Sequence, residues 1–444
     1  MYENYSPAIQ NFLKKSKIEI GHRIAAGGYE GVLMPKSAGD PDTLVIKLDN
    51  GYNIGIAFKG AKIKKLKGEE REKKIPKIKE YKPDPAKKTI AMIHTGGTIA
   101  SRIDYRTGGV YPAFTPEDLF FSTPELVGIA NFRTRVAFQM FSEDMEPMHW
   151  IILAGKIKEE IEIGCDGIIV VHGTDTMVYT AAALSYMLHN LPVPVLLVGA
   201  QRSSDRGSSD AAMNLICAAN FITKTDLAEV AICMHGSLDD EYCFVLPATN
   251  VKKMHASRRD TFRSVDVLPF AKAYYNGKIE FLKKHYTYRD KNRQLAVENK
   301  FDTRVAIVKL RPGFTYRELE LFEKAGYKGI IIEGTGLGNA PVTVLDKYTQ
   351  HHKKLLKTIA RMTKKGIFIG MTSQCPYGRV NMNVYSTGRD LQKAGVVPLA
   401  MTPEAAYVKL GWAIAMNPKK IKETMLTNIA GEIVGKIDPE AFLY

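Results

Sequence analysis

The stretch Ile90–Tyr105, IAMIHTGGTIASRIDY, joins an apolar run to a Gly-Gly pair flanked by Thr95 and Thr98. A run ending this way can cradle a phosphate, make a tight turn, or present a threonine hydroxyl as a nucleophile. Its neighbours decide what kind of strand it is. RVAFQMF, CDGIIVVHGTD, VPVLLVGAQR and AEVAICMHG repeat the pattern, each an apolar run closing in glycine or polar residues. Between them, MHWIILAGKIKEEIE and TAAALSYMLHN carry helical periodicity. Apolar strands alternating with helices predict a parallel sheet covered on both faces. Ligands of such sheets bind beyond the carboxyl ends of the strands. TGGT, SED, HGTD and GAQR all fall at those ends, so four runs deliver polar groups to one rim.

From Arg304 onward, RVAIVKL, GIIIEGTG, GIFIGMTSQ and GVVPLAM mark a second, smaller unit of the same kind. At the other end, KIEIGHRI, YEGVLMP and DTLVIKLDNGYNIGIAF are short strand-like runs, with a hairpin signal at Asp49–Gly51. Several short strands close together suggest a small barrel. The expected fold is thus two parallel-sheet α/β domains preceded by a small N-terminal β-barrel-like domain. The expected boundaries are 1–66 for the small β domain, 67–87 for a charged linker, 88–285 for the α/β domain with the candidate site, and 286–444 for the second α/β domain. The basic, aromatic segment Asn276–Asp302 reads as a solvated connection between the two α/β units, with nucleic-acid contact as the alternative.

The chain has 444 residues, 45% hydrophobic and 25% charged, as in ordinary globular proteins. It lacks an apolar run long enough to span a membrane, and its N-terminus has no apolar core after a basic start. Five widely spread cysteines without a CxxC pair point to reduced thiols in a cytoplasmic protein and away from zinc. The net charge of +15 suits an anionic partner such as nucleic acid, or a lysine-rich thermophilic composition. About half of that excess lies in Lys59–Lys88, with 13 Lys and Arg against 5 Asp and Glu.

The Gly-Gly pair fits neither GxGxxG nor GxxxxGK[ST], since Ile99 and Ala100 follow Thr98. Two glycines do allow a sharp turn and close approach to a ligand. Thr174 and Asp175 end another buried strand, where they could cap the next helix or take part in proton transfer. Lys253, in TNVKKMHASRRDTFRS, could be solvated, as its neighbour Lys252 is expected to be, or could lie buried beside a carboxylate. A threonine hydroxyl is a poor nucleophile without a base and a positioning group. A Thr–Lys–Asp set would supply both without histidine, cysteine or metal, and Gly-rich loop N–H groups could hold an oxyanion. The implied reaction is acyl transfer to water from a small amide or ester.

TGGTIA, HGTDTM, VGAQR and a lysine shortly before DTFRS resemble the bacterial-type asparaginase and glutaminase amidohydrolases over residues 88–444. The resemblance implies that Thr98 is the nucleophile, assisted by Tyr105 on the following loop, with Thr174, Asp175 and Lys253 completing the catalytic set. It implies that Ser142 binds the substrate α-carboxylate and Asp175 the α-amino group. Glu143, beside Ser142, stands where the family often has glutamine, and is counted with the substrate-binding residues. It also implies a homodimer core, for which Glu333–Asn339 (EGTGLGN) is a candidate contact rim.

Together with the small N-terminal domain, the whole chain is similar to the ammonia-supplying subunits of the archaeal glutamyl-tRNA(Gln) amidotransferases. That resemblance implies hydrolysis of glutamine, or asparagine, and ammonia delivery to a partner, the E-type subunit of the same amidotransferase. The partner would use ATP and Mg to activate the glutamate on tRNA and would be the main tRNA binder. It further implies a likeness to α2β2 heterotetramers, with no cofactor held by this chain. The alternatives are a free cytosolic L-asparaginase with an accessory domain, and a non-catalytic binding module.

Overall fold

The computed structural model describes residues 4–36, 40–48, 53–66, 83–97, 101–103, 110–112, 123–202 and 209–442. Helix α1 (Pro7–Lys15) starts where Ser6 caps it: the hydroxyl accepts the Ile9 N–H at 3.5 Å, and Pro7 occupies a position that needs no N–H. Ile9 and Leu13, one turn apart, are buried in a cluster with side chains of an antiparallel sheet. Its strands are β1 (Arg23–Ala26), β2 (Tyr29–Leu33), β3 (Thr43–Lys47), β4 (Asn53–Ala57) and β5 (Ile63–Lys65), in the order β4-β3-β2-β1-β5. β3 and β4 pair from Thr43 with Ala57 to Lys47 with Asn53, as the hairpin signal predicts. The hairpin's turn and residues 67–82 of the charged linker lie outside the described residues. A second hairpin, not evident in the sequence, turns on Gly27 and Gly28. Their φ angles of 55° and 86° suit the two left-handed positions of a tight hairpin turn.

The next sheet has eight strands. They are β6 (Thr89–Gly96), β9 (Asn131–Met140), β10 (Gly167–Val171), β12 (Val195–Val198), β13 (Val230–His235), β14 (Tyr242–Pro247), β17 (Ala271–Tyr274) and β18 (Ile279–Phe281), ordered β18-β17-β14-β13-β12-β10-β6-β9. Two-stranded pieces fill the remaining numbers: β7 (Ser101–Ile103) with β8 (Val110–Pro112), β11 (Leu188–His189) with β19 (Ala296–Val297), and β15 (Val251–Lys253) with β16 (Phe262–Ser264). The five runs read from sequence form the parallel half, β9-β6-β10-β12-β13. The other three strands are antiparallel, which makes the sheet mixed. Residues 236–241 are too few for a crossover, so β14 must return antiparallel to β13.

Period-two alternation sorts the central strands between two cores. Ile93, Ile168, Val170 and Leu197 enter one cluster with α3 (Pro147–Ile163) and α4 (Met177–Met187). Met92, Ile169, Val171 and Leu196 enter the other with α2 (Glu125–Ile129) and α5 (Ala211–Lys224). Buried on both faces, these strands need the continuous apolar runs that the sequence shows.

In the C-terminal unit β20 (Val305–Lys309), β21 (Gly329–Gly334), β22 (Phe368–Ser373) and β23 (Val397–Pro398) form a parallel sheet in that order. Helices α6 (Tyr316–Lys324), α7 (His352–Lys364) and α8 (Ser386–Lys393) contribute Leu319, Ile359 and Leu391 to its own core. Its other face is covered by α9 (Pro403–Met416), which is followed by the short α10 (Ile421–Leu426). Residues of α9, Ile331 and Val397 share one cluster with Ile93, Val170 and α4, so the two α/β units are fused through α9.

The segment 276–302 is docked, not the solvated connection expected. It supplies β18 and β19. Its Arg289 donates to the carbonyls of Asp166, Ile222 (2.8 Å) and Thr225 (3.3 Å), and Arg293 to that of Leu191 (2.9 Å). The five cysteines are free thiols, with Cys217, Cys233 and Cys243 buried. No described helix is long and apolar enough to cross a membrane.

Candidate active site

Gly96 and Gly97 end β6 with φ of 103° and 80°, values that an L side chain rarely adopts. A Cβ on Gly97 would overlap the backbone of Gly173, and one on Gly96 would overlap that of Met140. The Gly97 N–H donates to Met140 O at 3.0 Å. The pair therefore draws the ends of β6, β9 and β10 together. A Cβ on Gly173 would in turn come within 2.7 Å of Ser142 Cβ. Thr95, the first threonine of the motif, is buried and donates to Val171 O at 3.0 Å, a structural tie between strand ends. Thr98 and Tyr105 lie outside the described residues.

The structure brings the other predicted residues to one place. Lys253 Nζ lies 2.6 Å from Asp175 Oδ1 and 3.0 Å from Thr174 Oγ1. Ser142 Oγ accepts the Asp175 N–H at 3.1 Å, and Ser142 O accepts from Thr176 Oγ1 at 2.6 Å. Thr174 and Ser142 are buried, while 64% of the Asp175 side chain is exposed. Helix capping does not account for Thr174 and Asp175, because α4 is N-capped at Thr176 with no side-chain cap bond. Lys253 reaches the rim from β15, held in register by pairing with Phe262. Lys252 is not free in solvent as expected, since its Nζ pairs with Glu404 Oε1 at 2.5 Å. Strand alternation sends the adjacent lysines to opposite faces. Glu143 is exposed in the short turn that carries Ser142. In the candidate contact rim, Leu337 is exposed, and burial raises the Glu333 carboxyl above its usual range.

Two supports lie outside the residues predicted from sequence. In one, His172 is fully buried beneath the HGTD turn, and burial lowers it to about 4, leaving a neutral imidazole at neutral pH. A carbonyl can only accept, so Nδ1–H donates to Gly173 O (2.6 Å) and Nε2 accepts from Thr180 Oγ1 (2.9 Å). Thr180 Oγ1 accepts from Trp150 Nε1 at 3.1 Å. In a trans peptide C=O and N–H point oppositely, so fixing Gly173 O inward aims the Thr174 N–H outward at the rim. That N–H has no acceptor among the described residues. The Thr180→Val protein is expected to show kcat lowered about tenfold, equivalent to about 1.4 kcal/mol, with KM nearly unchanged. Thr180→Ser should restore the rate. Steady-state kinetics of the three proteins checks this, and a Val variant with parental kcat would leave the relay without a role in turnover.

The second support holds the VGAQR loop. Buried Asp210 accepts the N–H groups of Gln201 and Arg202, each at 3.0 Å, and Asn214 donates to Gly199 O at 2.9 Å. The two residues are one helical turn apart at the start of α5, a spacing that could have been read as a single polar face among apolar residues.

The chain matches the family models described as "Asparaginase, N-terminal" over residues 89–287 and "Glutaminase/Asparaginase C-terminal domain" over 304–425. A third, "GatD N-terminal domain", matches residues 18–66. The structure superposes on the thermostable L-asparaginase from Thermococcus kodakarensis with a TM-score of 0.67 at 29% identity, covering 78% of this chain and all of that one. L-asparaginase I from Vibrio cholerae gives 0.66 at 26% identity, covering 79% and 100%. Fold and rim together thus define an asparaginase-type amidohydrolase. The D-type subunit (GatD) of the Pyrococcus furiosus glutamyl-tRNA(Gln) amidotransferase is 48% identical over 98% of this chain and 99% of its own length. Its counterpart in Methanothermobacter thermautotrophicus is 44% identical over 97% of both. The chain belongs to the GatD family, the D-type subunits of the glutamyl-tRNA(Gln) amidotransferases. It is a glutaminase/asparaginase-like amidohydrolase subunit of a tRNA-dependent amidotransferase, and membership implies a complex with a partner subunit.

Proposed function

We propose that this rim hydrolyses the side-chain amide of glutamine, or of asparagine, with Thr98 as nucleophile. The Lys253 contacts with both Thr174 and Asp175 carry this reading, because an ammonium in contact with a hydroxyl and a carboxylate, beside the turn that leads into Thr98, is suited to proton handling. The Thr98 hydroxyl adds to the amide carbon, the C–N bond breaks, and ammonia leaves with the proton that the Thr174–Lys253–Asp175 set relays. Water then releases the acyl group from Thr98. The outward Thr174 N–H is suited to the oxyanion. The exposed part of Asp175 suits the substrate ammonium, Ser142 suits its carboxylate end, Glu143 beside Ser142 belongs to the substrate-binding edge, and Tyr105 assists from the following loop.

Ammonia passes to the E-type partner, which uses ATP and Mg to convert Glu-tRNA(Gln) to Gln-tRNA(Gln). The working assembly is a cytoplasmic α2β2 heterotetramer around a homodimer of this chain, with tRNA held mainly by the partner. The second reading, a free L-asparaginase, draws on the likeness to the Vibrio cholerae enzyme. Ammonia release from glutamine and asparagine, measured for the full chain alone and with the E-type partner plus Glu-tRNA, separates the two. Slow hydrolysis alone and an increase of about tenfold or more in the complex is the expected result. Full asparaginase activity without the partner would favour the free enzyme.

A further inference from the structure

A cleft of about 570 Å³ opens at the end of the eight-stranded sheet where β13 begins and β14 ends. That volume is ordinary for a small-molecule site. One wall is Ile429–Gly431, and it is fixed: Glu432 accepts the N–H groups of Ile429 (3.1 Å) and Ala430 (2.7 Å), Thr249 Oγ1 donates to Ala430 O (3.1 Å), and Lys409 pairs with Glu432 in full burial. That wall is therefore preformed.

Two cations line it. Lys283 is half-buried, with its Nζ 4.8 Å from the centre of the Phe270 ring and no carboxylate in ion-pair contact among the described residues. Burial pushes its ammonium down, and Glu229 partly offsets this. The Arg293 guanidinium gives one N–H to Leu191 O and has no carboxylate partner among the described residues. Facing them are one carboxylate, Glu229, which accepts the Thr287 N–H at 2.6 Å, and the uncharged groups of Ser185, Asn190, Asn250 and Thr287. His189 lies at the same cleft, its Nε2 3.5 Å from Glu298. A half-buried ammonium with one shared carboxylate facing it, beside a guanidinium, leaves the cleft with an excess of positive charge that an anionic ligand would offset. A phosphate can accept from an ammonium and a guanidinium together, and Leu188, Val230 and Pro247 offer apolar surface for an organic body.

The cleft also touches both elements that deliver the catalytic set. Asn250 lies three residues before Lys253, and α4 runs from the turn after Thr174 and Asp175 to Leu188 and His189 at the cleft. We propose that this cleft binds an organic phosphate of nucleotide size and that its occupancy changes the turnover rate of the amidohydrolase site. The rate effect rests on the amidohydrolase reading; binding stands without it.

Calorimetric titration of the full chain with AMP, and with adenosine as the uncharged control, tests binding. Saturable AMP binding, absent with adenosine and weakened about tenfold or more in Lys283→Met/Arg293→Gln, is expected. The double variant should keep the parental Tm. No AMP binding, equal binding of adenosine, or undiminished binding by a folded double variant would overturn the site. For the second half, AMP should change ammonia release by about fivefold or more in the parent and not in the double variant. Unchanged release with binding intact would overturn the coupling.

Discussion

Lys253→Met is expected to lower kcat by about 10³-fold, within the range for loss of a positioned proton-transfer group, and to leave the protein folded. Methionine keeps much of the lysine's length and apolar stem but cannot donate. Lys253 Nζ donates to Thr174 Oγ1 and to Asp175 Oδ1, so the substitution removes both contacts at once. Thr174 would lose the neighbour that directs its hydroxyl, and Asp175 its counter-charge. Asp175 is largely exposed, so water can resolvate its carboxylate, and the stability cost of losing the pair stays small. The damage should therefore appear in kcat, with Tm within a few degrees of the parent. Glutaminase kinetics together with thermal unfolding checks both halves. A near-parental rate would take Lys253 out of the mechanism.

Thr98→Ala is the second large effect. Glutamine-dependent amidation should fall by at least about 10³-fold, as for loss of a nucleophile, while free ammonia still supports amidation by the complex. The Gly96–Gly97 pair sets the direction in which the chain leaves β6. That geometry is backbone geometry, and alanine at 98 leaves it intact. Ammonia rescue is the discriminating measurement, because it bypasses hydrolysis but still requires the assembled complex. Loss of both activities would assign Thr98 to structure instead.

The parallel half of the large sheet is legible in the sequence because strands buried on both faces must be apolar throughout, and four such runs stand out, with the edge strand β9 as a fifth, partly exposed one. The antiparallel half is not. AKAY and IEF are four and three residues long, too short for a period to stand out in the sequence even though AKAY alternates buried and half-buried positions. The rim can be listed from strand ends, but its contacts cannot. Lys253 is 78 residues from Asp175 in the chain, and only the fold closes that distance. For the same reason Lys252 reads as solvated, since Glu404 is 152 residues away. His172 carries no signal of its own, because a histidine in an apolar run is usually a satisfied core residue. That is what it is here, and its partners turn it into a brace for the rim. The roles of the rim residues come from family resemblance, which spacing alone does not supply.

The helix α9 has one further consequence. It is buried almost all round and seals the C-terminal sheet to α4 in a single core. Two units joined this way cannot part like jaws without exposing that core to water, unlike domains that meet at small polar interfaces. The body of the enzyme thus works as a fixed anvil beneath the rim, and the strand ends that carry Ser142, Thr174 and Lys253 keep their spacing.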